Sequence, residues 1–243
     1  MTSDDNVQSL SGNPVYHHPE VTGWEPAVAE GHIEEISDHI ERHLGPIGMV
    51  YHEIISDTVH IDVYHVPPSD RHPFHILVTS GMSDRPMNVP EGVGTSPYVE
   101  LMAMLPTDWK ISQEAFSDER WYWPVRSLKF LARFPHKVNS WFCAGHTIGN
   151  GNPPAPFADN TKLDSILFLP PVGDFDDFST LSLDDGTTIE FLAIVPLYRE
   201  ELALKMNKGM SALLDAFDRH NIDNVIDPKR KNVAKRRFGI FGR

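Results

Sequence analysis

Cysteine is nearly missing from this chain: Cys143 stands alone among 243 residues. An intramolecular disulfide and a four-thiolate zinc site are excluded, and a reducing compartment, the cytoplasm, is expected. Long apolar runs are missing too, none approaching the roughly 18 residues of a membrane span. Residues 1–20 lack the basic start and apolar middle of a secretory signal, so a soluble intracellular protein is expected. Positive charge is scarce, with 21 Lys and Arg against 34 Asp and Glu and a formal net charge of −13. Seven of the basic residues crowd into 229–243, where no acid stands, which leaves 14 basic against 34 acidic residues, or −20, on the rest. An acidic body repels nucleic acid and favours basic partners. No nucleic-acid motif accompanies the basic end, so it reads as a solvated tail, and nucleic-acid binding is not expected. Phosphate-cradling and dinucleotide glycine fingerprints are absent, as is the Gly-x-Ser-x-Gly nucleophile elbow.

What the chain does hold is 40% hydrophobic residues, enough for a real core. The stretch from His72 to Asp84 shows how that core meets its rim. Phe74 to Val78 is dense and β-branched, the pattern of a strand buried on both faces. Thr79-Ser80-Gly81-Met82-Ser83-Asp84 then ends it, with Gly81 free to take positive φ and hydroxyls ready to bond freed amides.

Around it, residues 1–30 read as an irregular arm rich in glycine and proline, which Trp24 can anchor. Ile33, Ile36, Ile40 and Leu44 recur at helical spacing until Gly45-Pro46. Met49 to Ile55 and Val59 to Val66 read as strands around Ser56-Asp57-Thr58. In the second, Ile61, Val63 and His65 share one face and His60, Asp62 and Tyr64 the other. Tyr98 to Leu105, Leu163 to Leu169 and Ile189 to Val195 are further strands, the last preceded by the tight-turn signal Asp184-Asp185-Gly186. A helix is expected from Pro124 to Phe134, with Trp121, Tyr122 and Trp123 packing before it, and two more near Gly209. Strands and helices intermix without βαβ alternation, which predicts an α+β fold: a single mixed β-sheet domain with flanking helices over 31–228, and a dispensable basic tail at 229–243.

Ten of the thirteen histidines lie between His17 and His75. His39 and His43 stand four apart, but Glu41 falls on the far face, unlike the zinc-protease pattern His-Glu-x-x-His. His32, His39 and His43 can share a helix flank, yet no carboxylate lies on that stripe. His72 and His75 point to opposite faces of a strand start. Asp174-Phe-Asp-Asp177 opens like a calcium loop, but Ser179 stands where the loop needs glycine. Cys143 and His146 are a lone pair beside a tight turn. No catalytic residue, metal or cofactor is expected.

Several blocks together resemble a known family. His60-Ile-Asp-Val-Tyr-His-Val-Pro-Pro68, Leu77-Val-Thr-Ser-Gly-Met-Ser-Asp84 and Glu100-Leu-Met-Ala-Met-Leu-Pro-Thr-Asp-Trp109 look like consecutive parts of the suppressor-of-fused domain in its bacterial form. Leu128 to His136, Gly145 to Gly151 and Val195 to Glu201 continue the resemblance in order, over about Gly31 to His220. It implies a non-catalytic protein-binding module. The animal member grips a transcription-factor peptide as an added strand between two lobes, while bacterial members are immunity proteins that bind polymorphic toxins. The animal protein's additional C-terminal domain has no counterpart in this chain, so the two-lobed clamp is not expected. Pro86 stands near an animal peptide-contacting tyrosine, so that contact does not carry over, whereas the Gly81–Asp84 turn matches. The expected partner surface is therefore Thr79, Ser80, Gly81, Met82, Ser83 and Asp84, joined by the loop Asn88 to Thr95. The alternative reading is a metal-assisted hydrolase using the N-terminal histidines.

Overall fold

The computed structural model describes residues 7–18, 31–52 and 58–235. In chain order its elements are α1 (Ile33–His43), β1 (Met49–Tyr51), β2 (Asp62–Val66), β3 (His75–Ser80), β4 (Tyr98–Leu105), α2 (Glu119–Val138), β5 (Thr147–Gly149), β6 (Leu163–Leu169), β7 (Thr180–Ser182), β8 (Thr188–Tyr198), α3 (Arg199–Lys208) and α4 (Met210–Asp218). The eight strands among the described residues form one sheet in the order β1-β2-β3-β4-β8-β6-β5, with β7 pairing to β8 beside that path. β4 and β8, at the centre, run parallel, and the other pairs run antiparallel. This is the mixed-sheet α+β fold that the intermixed strand and helix patterns predict.

β4 shows why its sequence is apolar without alternation. Leu101 and Ala103 turn into one core, Met102 and Met104 into another, and both faces are covered. On the first face α2 lays Trp123, Leu128, Leu131 and Ala132 against Val63, Leu77 and Leu101. On the second, Ile36, Ile40 and Leu44 of the α1 region join Phe175 and Phe178 against Tyr64, Ile76 and Phe191. Ile33, expected in the same stripe, is 43% exposed because it stands at the first helical residue. A third cluster seats Leu213 and Phe217 of α4 on Leu167, Val195 and Leu197.

Two expectations about boundaries change. α2 begins five residues before Pro124, because Asp118 caps it: its carboxylate accepts the Arg120 N–H at 2.9 Å, and its carbonyl accepts the Trp121 N–H at 3.0 Å. Pro124 and Pro135 thus lie inside the helix, where buried packing of both rings offsets the missing backbone donors. The helix stops at Asn139, whose φ of 51° is left-handed. Trp123 is fully buried against Phe157, and half-buried Trp121 and Tyr122 pack against the same core, as expected. The strand ends at 53–55 and most of the proposed turn at 56–58 lie outside the described residues, as do Trp24 and residues 236–243.

The second change is at the C-terminal end, where packing continues past 228. Arg230 donates to both oxygens of Glu201 (Nη1 to Oε1 at 2.7 Å, Nη2 to Oε2 at 2.5 Å) and to the Pro196 carbonyl at 2.7 Å. Its guanidinium also lies over the rings of Tyr198 and Phe217. Glu201 is wholly buried and completes its shell with the backbone N–H groups of Tyr198 and Val233. A run of like charges in the sequence hid one arginine that serves as a buried counter-ion. Truncation after Pro228 is therefore expected to cost about 3–5 kcal/mol, since it leaves a buried carboxylate unpaired. Arg230→Ala should reproduce most of that loss in denaturant unfolding, and a loss below about 1 kcal/mol would mean the contact is only a surface one.

Candidate functional site

β3 ends at Ser80, and Gly81 turns the chain with a φ of 111° into a short 3-10 turn, Met82–Asp84. Glycine is required there twice over. The left-handed φ disfavours any side chain, and a Cβ would overlap the His60 carbonyl oxygen. The β3/β4 ladder stops at Val78 and Met102. Beyond it, the Thr79 hydroxyl takes over the backbone's role and accepts the Leu101 N–H at 2.8 Å.

What the turn encloses is Glu100 of β4, whose exposure is 0%. Its Oε1 accepts the N–H groups of Gly81 (3.0 Å) and Ser83 (2.9 Å) and the Ser83 hydroxyl (2.6 Å). Its Oε2 accepts the Thr79 hydroxyl at 2.5 Å. Burial pushes this carboxyl upward in pKa, and the four donors from Ser83, Thr79 and Gly81 pull it back. His136 of α2 adds a bond to the Met82 carbonyl at 2.9 Å, tying the turn to the helix on that face.

Asp84 closes the turn against the start of α1. Its carboxylate lies so close to Gly31 that a Cβ there would collide with it, and it accepts the His32 N–H. Desolvation, with Glu100 as a further cause, raises its pKa to about 7. Its Oδ1 has no hydrogen-bond partner among the described residues.

Thr79, Gly81 and Ser83 are thus brought together around Glu100, and Ser80 and Met82 are buried beside them. Of the six residues expected to meet a partner, only Asp84 keeps part of its side chain at the surface, beside exposed Arg85 and Pro86. The Thr79 and Ser83 hydroxyls are committed to Glu100. Glu100 lies sixteen residues past Asp84, so nothing within the turn announces it.

The expected histidine stripe does not form a site either. His39 is buried between the rings of Phe178 and Phe191, with Nε2 at 3.0 Å from the Phe178 carbonyl, and burial lowers its pKa. His72 stacks on Phe175 at 4.9 Å. His65 and His75 share a hydrogen bond of 2.9 Å, and burial, then His75, push His65 down to about 4. Cys143 is shifted upward by burial and by Glu190, the reverse of nucleophile activation.

The family model for suppressor of fused protein (SUFU) matches residues 57–231. The chain belongs to the SUFU family. The matched span holds the Thr79–Asp84 turn, Glu100 and the Glu201–Arg230 pair. Among solved structures, a SUFU homolog from Neisseria gonorrhoeae FA 1090 is similar, with a TM-score of 0.56 and 15% identity over 84% of this chain and 97% of that one. A Sufu–Fu complex gives a TM-score of 0.59 and 17% identity, covering 86% of this chain and 93% of the other. Drosophila Suppressor of Fused gives 0.59 and 16%, covering 90% of this chain but 54% of that protein, about half its length. At such identities these likenesses show the SUFU fold. No curated protein matches the sequence.

Two variants test the turn. Glu100→Ala strands four buried donors and is expected to cost about 3–5 kcal/mol in denaturant unfolding, whereas an ordinary surface change costs under about 0.5 kcal/mol. Asp84 has a folded pKa raised above its ordinary value of 3.8, so the fold favours its protonated form. Its contribution to stability is fullest below that ordinary value and falls as pH rises toward about 7. Asp84→Asn abolishes this titration, so its melting temperature relative to the parent should be higher at pH 8 than at pH 4. A difference independent of pH would contradict the burial of Asp84.

Proposed function

We propose that this chain is a non-catalytic protein-binding module, and that it acts as an immunity-type protein that neutralises a toxin domain by direct contact. The observation that carries the reading is the SUFU-family match across residues 57–231. Two further points support it: a relative of the same fold is found in a Sufu–Fu complex, and the sequence blocks resemble the bacterial form. The net charge of −13 fits a basic partner.

The partner surface in this reading is the outer side of the turn. Asp84, Arg85 and Pro86 emerge there, followed by the exposed loop residues Pro90, Glu91, Gly92 and Val93. Thr79, Gly81 and Ser83 act as positioning residues, fixing the turn on Glu100 so that the rim does not have to be ordered on binding, with Ser80 and Met82 buried beside them. The loop, by contrast, can change sequence without disturbing the core, as a binder matched to a varying partner requires.

Asp84→Lys alone cannot separate binding from folding, because Asp84 also holds the start of α1. The exposed loop can. The test is to find whether a neighbouring gene encodes a toxin domain, to co-express that domain with this protein, and to measure the affinity between them. The wild type should restore growth, and Glu91→Lys/Val93→Asp should lose at least about tenfold in affinity, roughly 1.4 kcal/mol, with melting unchanged. Unchanged affinity in that variant would move the surface elsewhere, and failure of the wild type to bind or protect would overturn the immunity reading.

A further inference from the structure

A different set of side chains meets where β1 and β2 join. His52 follows β1 directly, and extending the Tyr51–Val63 register by one pair sets it opposite Asp62. His60 precedes Asp62 by two residues, so strand alternation puts it on the same face. His52 Nδ1 consequently lies 2.9 Å from Asp62 Oδ2, and His60 Nε2 lies 3.0 Å from Asp62 Oδ1. One ligand atom from each of the three residues falls within 4.8 Å of the others. Exposure is graded across the cluster: 7% for the Asp62 side chain, 31% for His60 and 69% for His52.

We propose that His52, His60 and Asp62 bind one divalent transition-metal ion of the zinc class. Two imidazoles and a carboxylate form the nitrogen-and-oxygen set that such ions take, whereas calcium and magnesium require oxygen ligands throughout. In a tetrahedral site with bonds of about 2.0–2.2 Å, ligand atoms stand roughly 3.3 Å apart. The two short contacts reach different oxygens of Asp62, so with one oxygen as ligand one contact opens slightly and the carboxylate turns to bring that oxygen to the other ring. The remaining pair closes by rotation of His52, the exposed member. Each ring then offers a lone pair, its proton moving to the other ring nitrogen or, from an imidazolium, to solvent.

The buried carboxylate gives the site its driving force. The Asp62 side chain is 7% exposed and hydrogen-bonded by both rings, and a buried carboxylate is stabilised most by a counter-charge in direct contact. Lys129, whose charge also acts on Asp62, spends its hydrogen bond on the His52 carbonyl at 3.4 Å. A divalent ion places two positive charges in direct contact with the carboxylate. It also clips the edge strand β1 to β2, with a fourth position open to water on the exposed side of His52. The site backs onto the same turn, with the His60 carbonyl against Gly81 and Asp62 paired to Ser80, but its assignment does not depend on the partner reading.

The test uses untagged full-length protein, stripped with a chelator and titrated with Co²⁺ and then Zn²⁺. One equivalent of Co²⁺ should give the visible absorption of a low-coordinate nitrogen-and-oxygen site, and one equivalent of Zn²⁺ should displace it. His52→Ala, whose side chain is exposed and whose loss leaves the core intact, should weaken binding at least about tenfold. Asp62→Asn should abolish the signal. No saturable binding by roughly 100 µM metal would overturn the assignment. Equal affinity in His52→Ala and the wild type would overturn it too, because the ion would then sit on other histidines.

Discussion

A carboxylate with no exposure, on a central strand, is the constraint on which the rim of this sheet depends. Taking an ion of that size out of water costs several kcal/mol even after relaxation. Hydrogen bonds to a charged group return about 1.5–3 kcal/mol each, so Glu100 needs most of its acceptor capacity filled. The chain provides four donors from one turn, and only a turn of that shape can deliver two backbone amides and two hydroxyls to a single carboxylate. Gly81 follows from this geometry, because no other residue combines its φ with its closeness to the His60 carbonyl. Glu100 therefore fixes the conformation of Gly81–Ser83, and through Asp84 the place where α1 starts.

A second buried carboxylate, Glu201, meets the same demand by a different route. An arginine from the far C-terminal end supplies a full counter-charge through paired bonds, and two backbone amides complete the shell. The two solutions have different consequences. Glu100 is satisfied by residues near it in space and within 21 positions in sequence, so it organises a local rim. Glu201 recruits a segment 29 residues away and so ties residues 230–233 to the body.

Much of the fold was legible in the sequence. Tyr98–Leu105 and Leu163–Leu169 are strands with the expected bounds, because a doubly buried strand is a bare apolar run ended by proline or polar residues. α1 was legible from its 3.6-residue period. β5 was not, since three half-buried residues carry no period at all. α2 ran past both expected proline boundaries because capping at Asp118 and burial outweighed the missing donors. The turn itself was legible at Gly81, but its orientation was not: a row of hydroxyls looks the same whether it faces a partner or a buried carboxylate far along the chain. The histidines divide in the same way. The helical stripe of His32, His39 and His43 drew attention by spacing, yet His39 went to the core, while His60 and Asp62, which alternation had already placed on one face, gained His52 from just past the end of β1.

The central claim is that Glu100 locks the turn as firmly as the core it stands in. Native-state hydrogen exchange of the Gly81 and Ser83 amides measures this directly, since both donate to its Oε1. If the carboxylate holds the turn in this way, both amides exchange only through global unfolding, with the same opening free energy as β4 amides such as Leu101. Exchange at the rate of an exposed loop, with the β4 amides still protected, would contradict it.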